Sequence, residues 1–423
     1  MLQELSNAKS KKKLPFSQKW GYYLPFDETL DSDKDAAPNE RQNSGAYVFR
    51  PSQADEALTE LTPIATSFVN TSVGYEVHVE YDGSWVQTVT RILPNVSYIE
   101  VEYTVGPVPI SEDGRGKEVV TRFDASIHNE GVFYTDSNGR AFLKRTRNAR
   151  AGSPNLNYQV HQPISGNYYP VTSAIFMEDK DASLVVLTDR SQGGSSIQDG
   201  SIELMVQRRT LKDDHFGVGE PLNETTGGLY PSPPYGNGKR IGEGVVIKGT
   251  HRILFGDGDD DSSSKNGASL ARSGMDDMFA EPLVFVGSSP SDVEVPFSHG
   301  SISALKAVLP SNIMLVTYKR RDDKVLLRLA HQYGREEDSE LSQPVTVDLE
   351  KIFPFQIENM TELTLSANQD LKSWEKRRLN WMGTKESRSD TVSLNSDSGA
   401  SDKTVVLHPM EIKTFQLKID NSS

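Results

Sequence analysis

Val73-Gly74-Tyr75-Glu76-Val77-His78-Val79-Glu80-Tyr81-Asp82-Gly83-Ser84-Trp85-Val86-Gln87-Thr88-Val89 decides the fold class. Val73, Tyr75, Val77, Val79 and Tyr81 alternate with Gly74, Glu76, His78 and Glu80. A period of two puts the apolar set on one face of a half-buried strand. Asp82-Gly83 then supplies the turn chemistry of a tight hairpin, and Trp85 to Val89 starts the return strand.

The same alternation recurs along the chain. Ile99, Val101, Tyr103 and Val105 alternate with Glu100, Glu102 and Thr104. Phe133-Tyr134-Thr135, Asn138-Gly139 and Ala141-Phe142-Leu143 read as a second hairpin. Ile202, Leu204 and Val206 alternate with Glu203, Met205 and Gln207, which reads as a further strand. Ile313 to Tyr318 and Val325 to Leu329 flank the charged turn Arg320 to Lys324. Val405 to Leu407 and Ile412 to Leu417, joined through His408-Pro409, read as a closing strand pair. Helical periodicity is confined to Leu270 to Phe279. Many short strands and few helices predict an all-β architecture of antiparallel sandwiches.

Residues 27–44, the run Pro231-Ser232-Pro233-Pro234 and the acidic segment Gly256 to Gly267 read as loops. The acidic segment has Ala268 at the twelfth position from Asp257, where a calcium loop needs a bidentate glutamate. Gly287-Ser288-Ser289-Pro290 marks a boundary between a larger unit, 1–290, and a smaller one, 291–423.

Composition narrows the function classes. At 423 residues with 36% apolar and 25% charged side chains, the chain can bury sizeable cores in two or more domains. The absence of cysteine excludes disulfides, thiolate zinc sites and a cysteine nucleophile. A net charge of −14 argues against nucleic acid and anionic membrane as partners. The first thirty residues hold no apolar run of signal-peptide length, and no segment approaches a spanning helix. Five N-x-[ST] sequons, at Asn70, Asn95, Asn223, Asn359 and Asn421, are glycosylation candidates and point weakly to a secretory history.

Local chemical motifs are few. The closest two histidines, His299 and His331, stand 32 positions apart, so no local metal spacing exists. Gly236, Gly238 and Gly242 have the wrong interval for a dinucleotide loop. One region is dense in groups that bind sugars, from Asn167-Tyr168-Tyr169-Pro170 through Asp189-Arg190 to Gln192-Gly193-Gly194-Ser195-Ser196. Aromatic rings pack beneath sugar C–H faces, and planar polar groups bond vicinal hydroxyls. The alternative is that both tyrosines are sandwich core and that Asp189-Arg190 is a turn pair.

The segment Phe133-Tyr134-Thr135-Asp136-Ser137-Asn138-Gly139-Arg140 resembles the class II, lysosomal or vacuolar α-mannosidases of glycoside hydrolase family 38. Gly166 to Val171, Leu187 to Ser196, Asp199 to Met205, Arg208-Arg209 and Lys212-Asp213-Asp214 resemble the same family. So do Ser44 to Pro51, Val105 to Pro109, Leu326 to Leu329 and Pro409 to Phe415. The resemblance implies a galactose-mutarotase-like large β-sandwich followed by a smaller one, corresponding to the C-terminal part of the family's chain.

It also implies that the α/β barrel with its zinc ion, nucleophile and acid/base lies outside this sequence. No catalytic residue, metal ligand or cofactor is therefore expected here, and zinc is expected in the full-length enzyme. Met1 to Asn7 is similar to an interior strand of the family's sandwich, as if Met1 were an internal methionine and one or two earlier strands were missing. Asn167, Tyr168 and Tyr169, with Asp189 and Arg190 beside them, become candidates for the rim of the sugar site. Mannose-containing glycans and the family's catalytic domain, on this chain or on a full-length homologue, are the expected partners. A vacuolar, lysosomal or extracellular location is the expected place. A stand-alone carbohydrate-binding module and a docking or regulatory fragment are the alternatives.

Overall fold

The computed structural model describes residues 4–6, 11–32, 40–150, 160–217, 219–227, 243–257, 266–280, 282–284, 303, 305–379 and 403–420. Most of the predicted loops at 231–234 and 256–267, the boundary at 287–290, the glycines at 236–242 and Asn421 lie outside these residues. The chain divides into two compact units, Met1–Glu281 and Pro282–Ser423.

In the first unit two antiparallel sheets form a sandwich. One runs Glu4–Ser6, Lys13–Tyr23, Lys117–Ala125, Ser201–Arg209, Gln192–Ser195, Tyr169–Val171, with Thr59–Glu60 also paired to Lys13–Tyr23. The other has nine strands, in the order Ala141–Thr146, Val132–Ser137, Ala174–Glu178, Ala182–Thr188, Ile247–Asp257, Ile99–Val105, Val86–Ile92, Gly74–Tyr81, Pro63–Thr71. Phe16, Phe123, Ile202 and Leu204 of the first sheet meet Val101, Phe133, Ile175 and Val186 of the second. A neighbouring cluster joins Trp20 and Val119 to Tyr81, Val86 and Tyr103. Each such side chain removed from water adds roughly 1.5–3 kcal/mol, which sets both sheets face to face.

A helix, Gly267–Phe279, covers the outer face of the nine-stranded sheet. It starts three residues before the periodicity suggests, because Asn266 caps it by accepting the Ser269 N–H at 2.9 Å. Ala271, Met275 and Met278 pack on Phe176, Val185 and Leu187. Strand Ala182–Thr188 is consequently buried at every position, between the sandwich core and the helix.

The deciding hairpin forms with two differences. The strands are Gly74–Tyr81 and Val86–Ile92, and their last paired residues are Glu80 and Gln87. A longer turn replaces the two-residue one: Gly83 and Ser84 both take positive φ, which swings Trp85 into the core. The apolar face is also only partly covered. Val79 and Tyr81 enter the core, whereas Tyr75 is 59% exposed, because the sheet runs past the edge of its partner layer.

The second unit packs a four-stranded sheet against a two-stranded one around Phe353, Leu327, Val405 and Phe415. The expected closing pair does not form. Thr404–Leu407 pairs with Val345–Asp348, while Ile412–Ile419 lies between Lys324–His331 and Ile357–Leu363. The connection changes layers at Met410, where φ is 68°, and its ends are tied by the His331 and Met410 N–H groups. Both strands thus aim their apolar faces into one core from opposite sides.

Candidate functional site

The outer face of the seven-stranded sheet carries the densest polar network. Strands Lys117–Ala125 and Ser201–Arg209 are neighbours, with Arg122 opposite Glu203 and Glu118 opposite Arg208. Arg122 Nη2 lies 2.6 Å from Glu203 Oε2, and Arg208 Nε lies 2.5 Å from Glu118 Oε2. Both carboxylates are fully buried, so each guanidinium neutralises a charge that water cannot reach. Glu203 is therefore wholly buried, although it lies on the face opposite Ile202 and Leu204. Loops roof this side of the sheet.

Around Glu203 the network closes on two tyrosines. Tyr23 donates its hydroxyl to Oε2 at 3.2 Å, and Tyr168 donates to Oε1. Burial, reinforced by the Glu203 carboxylate, pushes both phenols well above their ordinary range. Burial works against the charge of Arg122, but Glu203 outweighs it and raises the guanidinium pKa. A cavity of about 410 Å³ opens beside them, with Tyr23, Glu56, Arg122, Arg147, Asn148 and Gln198 in its wall.

Around Glu118 the network holds the loop 43–50. Ser44 donates to Glu118 Oε1 at 2.5 Å, Arg208 Nη2 donates to the Val48 carbonyl at 2.8 Å, and the Tyr47 N–H donates to Asp214 Oδ2 at 2.6 Å. Phe49 reaches the other cluster, edge-on to Tyr168 at 4.9 Å. At the tip, Tyr47 stands 69% exposed on a fixed backbone. Tyr47, Glu118 and Arg208 carry no spacing signal in the sequence; the resemblance of Ser44 to Pro51 and of Arg208-Arg209 touches Tyr47 and Arg208, and nothing touches Glu118.

The candidate rim residues have mixed positions. Asn167 is buried, and its carboxamide bridges Asn148 and the Pro163 carbonyl. The Tyr168 hydroxyl is committed to Glu203. Tyr169 is half-buried, with its ring edge-on to Phe133 and the Arg145 guanidinium 4.3 Å from its centre. Asp189 and Arg190 form a bidentate surface pair at 3.0 and 2.8 Å. Next to them, Gln192 bridges the Tyr103 hydroxyl and the ring of His251, each at 3.0 Å. Burial lowers His251 to a pKa of about 3, against a weaker pull from Asp189, so the ring is neutral.

Among the sequons, Asn70, Asn95 and Asn359 are exposed, whereas Asn223 accepts from Arg209 Nε at 2.9 Å. Among the described residues no three His, Asp or Glu side chains gather as ligands of an ion. No described helix is long and apolar enough to cross a membrane.

Comparison with known proteins follows this geometry. Residues 2–216 match the model of the glycosyl hydrolases family 38 C-terminal domain, and residues 312–415 match that of the family 38 C-terminal beta sandwich domain. The lysosomal alpha-mannosidase of Bos taurus is 38% identical over 98% of this chain, and the chain covers 38% of that protein. The alpha-mannosidase of Canavalia ensiformis is 35% identical over 99% of the chain and 40% of its own length. The chain thus spans about two fifths of the relatives it matches. A solved structure of an alpha-mannosidase from Enterococcus faecalis superposes with a TM-score of 0.55, over 98% of this chain and 40% of that one. At 9% identity that likeness speaks for the fold alone. The chain belongs to glycosyl hydrolase family 38, and what it matches is the family's C-terminal β region.

Proposed function

We propose that this chain serves an α-mannosidase that removes terminal α-mannose from glycoprotein N-glycans, in a lysosome, vacuole or secreted space. The observation that carries the reading is the unbroken similarity, over nearly the whole chain, to proteins named alpha-mannosidases in animals and plants. In this reading the chain binds and positions. The buried pairs Arg122–Glu203 and Glu118–Arg208 stiffen the outer sheet face, which holds Tyr47 where an aromatic ring can lie against a sugar. Tyr169 and the Asp189–Arg190 pair offer a second set of rim groups.

The chain by itself is inactive in this account, because hydrolysis with retention needs two suitably spaced carboxyl groups, and the family's nucleophile and zinc lie outside the residues matched here. The purified 423-residue chain is expected to leave a chromogenic α-mannoside intact. Chelator-sensitive release of the chromophore would overturn that. A second reading, sugar binding by the isolated chain, is favoured by the 410 Å³ cavity beside Tyr23 and Arg122. Saturable titration with mannose oligosaccharides, weakened by Arg147→Ala, supports it; a flat titration removes it.

A further inference from the structure

We propose that Asn70 is an N-glycosylation site whose first N-acetylglucosamine lies on Phe68 and Tyr75, covering the bare edge of the nine-stranded sheet. This rests on the secretory route proposed above. Pro63–Thr71 is the edge strand, and none of its nine residues is charged. Proteins guard such edges with lysines, prolines or a covering element, because unpaired N–H and C=O groups invite another strand. Here Pro63 guards only the start of the strand, and no charged side chain protects the rest of it. The strand is exposed along nearly its whole length, with Phe68 at 75% and the neighbouring turn residue Val73 at 66%.

The sequon sits at the turn end of this strand, beside the exposed Phe68, Val73 and Tyr75. Asn70 pairs directly with Tyr75, which pairs with Ile92 on the next strand, so the three side chains form one row across the sheet. Phe68, two positions before Asn70, shares that face. It is the face that Val79 and Tyr81 carry into the core; toward Asn70 it emerges uncovered. A sugar linked to Asn70 would therefore have an aromatic ring two residues back on its own strand and another directly across. The C–H faces of N-acetylglucosamine stack on such rings. Thr71 pairs with Gly74, so Ser72 and Val73 form the tight turn, and Ser72, which supplies the hydroxyl of the sequon, is exposed.

The chemistry is group transfer from a lipid-linked diphospho-oligosaccharide. The Asn70 carboxamide nitrogen bonds to C1 of the reducing-end sugar, the C1–O bond to the diphosphate breaks, and the nitrogen loses a proton as the lipid diphosphate leaves. The attached glycan adds bulk and water along an edge that would otherwise accept a second chain.

The test expresses the full chain behind an added secretory leader in a eukaryotic host, so that its own native route does not enter. Glycopeptide mass spectrometry on the total cellular chain should find most Asn70 peptides occupied. Trimming the glycan to its first sugar should leave Tm unchanged, while Asn70→Gln should lower it by about 2 °C or more. That loss should vanish in a Phe68→Ala background. An unoccupied Asn70, or an Asn70→Gln loss that is absent or is the same with and without Phe68, overturns the proposal. Chelator-sensitive release of the chromophore by the chain would overturn the functional reading and leave this one standing.

Discussion

Arg122 and Glu203 face each other across a strand pair with their charged atoms 2.6 Å apart, and Glu203 is wholly buried. Removing one partner strands the other in a medium that cannot solvate it. Arg122→Ala should cost about 3–5 kcal/mol, read by denaturant unfolding. The double replacement Arg122→Met with Glu203→Leu should recover much of that loss. Equal losses for the single and double variants would show that shape rather than charge holds this face.

Asp136 should be nearly as costly to lose. One of its oxygens accepts the N–H groups of Thr172, Ser173 and Ala174 at 2.8–3.0 Å, and the other accepts Gly139. Asp136→Ala leaves those donors without an acceptor and should cost about 3 kcal/mol or more in thermal or chemical unfolding. An Asp136→Asn variant should fall between the two.

His251 fixes a pH dependence. Its folded pKa of about 3 lies below that of an exposed imidazole, so the unfolded chain binds the extra proton first as the solution is acidified. The stability it lends is present above about pH 6.5 and is lost progressively toward pH 3. Its Nε2 meets Gln192, whereas its Nδ1 is buried without a hydrogen-bond partner, so a second ring proton would be left unpaired. His251→Gln should flatten the stability curve between pH 6 and 4, which titrated urea melts would show.

Gly267 opens the covering helix against the Phe176 ring, where an added Cβ would stand 2.4 Å from a ring carbon. Alanine is the better helix former, yet Gly267→Ala should destabilise by about 1–3 kcal/mol because the stacked Tyr134–Phe176 pair must move. A gain in Tm would show that helix propensity outweighs the packing.

Tyr47 separates function from stability. Its side chain projects into solvent, so Tyr47→Ala should change unfolding free energy by no more than about 0.5 kcal/mol. In the assembled enzyme the same change should raise KM for a mannoside. An unchanged KM would move the rim to Tyr169 and the Asp189–Arg190 pair.

Legibility followed burial. Alternation identified strands wherever one face meets the core and the other meets water, as in Gly74–Tyr81 and Ile99–Val105. It does not show that Glu203 is buried, because loops roof that side of the sheet and both faces of Ser201–Arg209 are covered. Pairing partners were less legible: Thr404–Leu407 and Ile412–Ile419 are adjacent in sequence, but nothing in a period of two says that the chain crosses between layers. The networks around Glu203 and Glu118 join residues 35 to 180 positions apart, which spacing rules do not reach. Long motif resemblance reached Ser44, Tyr168, Glu203 and Arg208 because it depends on no local period, but it did not reach Glu118 or Arg122.

Strand Ile247–Asp257 is the last of its sheet in sequence but stands at its centre, between Ala182–Thr188 and Ile99–Val105. A nascent chain therefore holds two separate ribbons, four strands on each side, until residue 257 has left the ribosome. Both ribbons present raw inner edges during that wait, and the sandwich can close only when the final strand slides between them. Folding of this unit is posttranslational in logic even if synthesis is still under way downstream, and the interval before residue 257 emerges is when a chaperone has most to do.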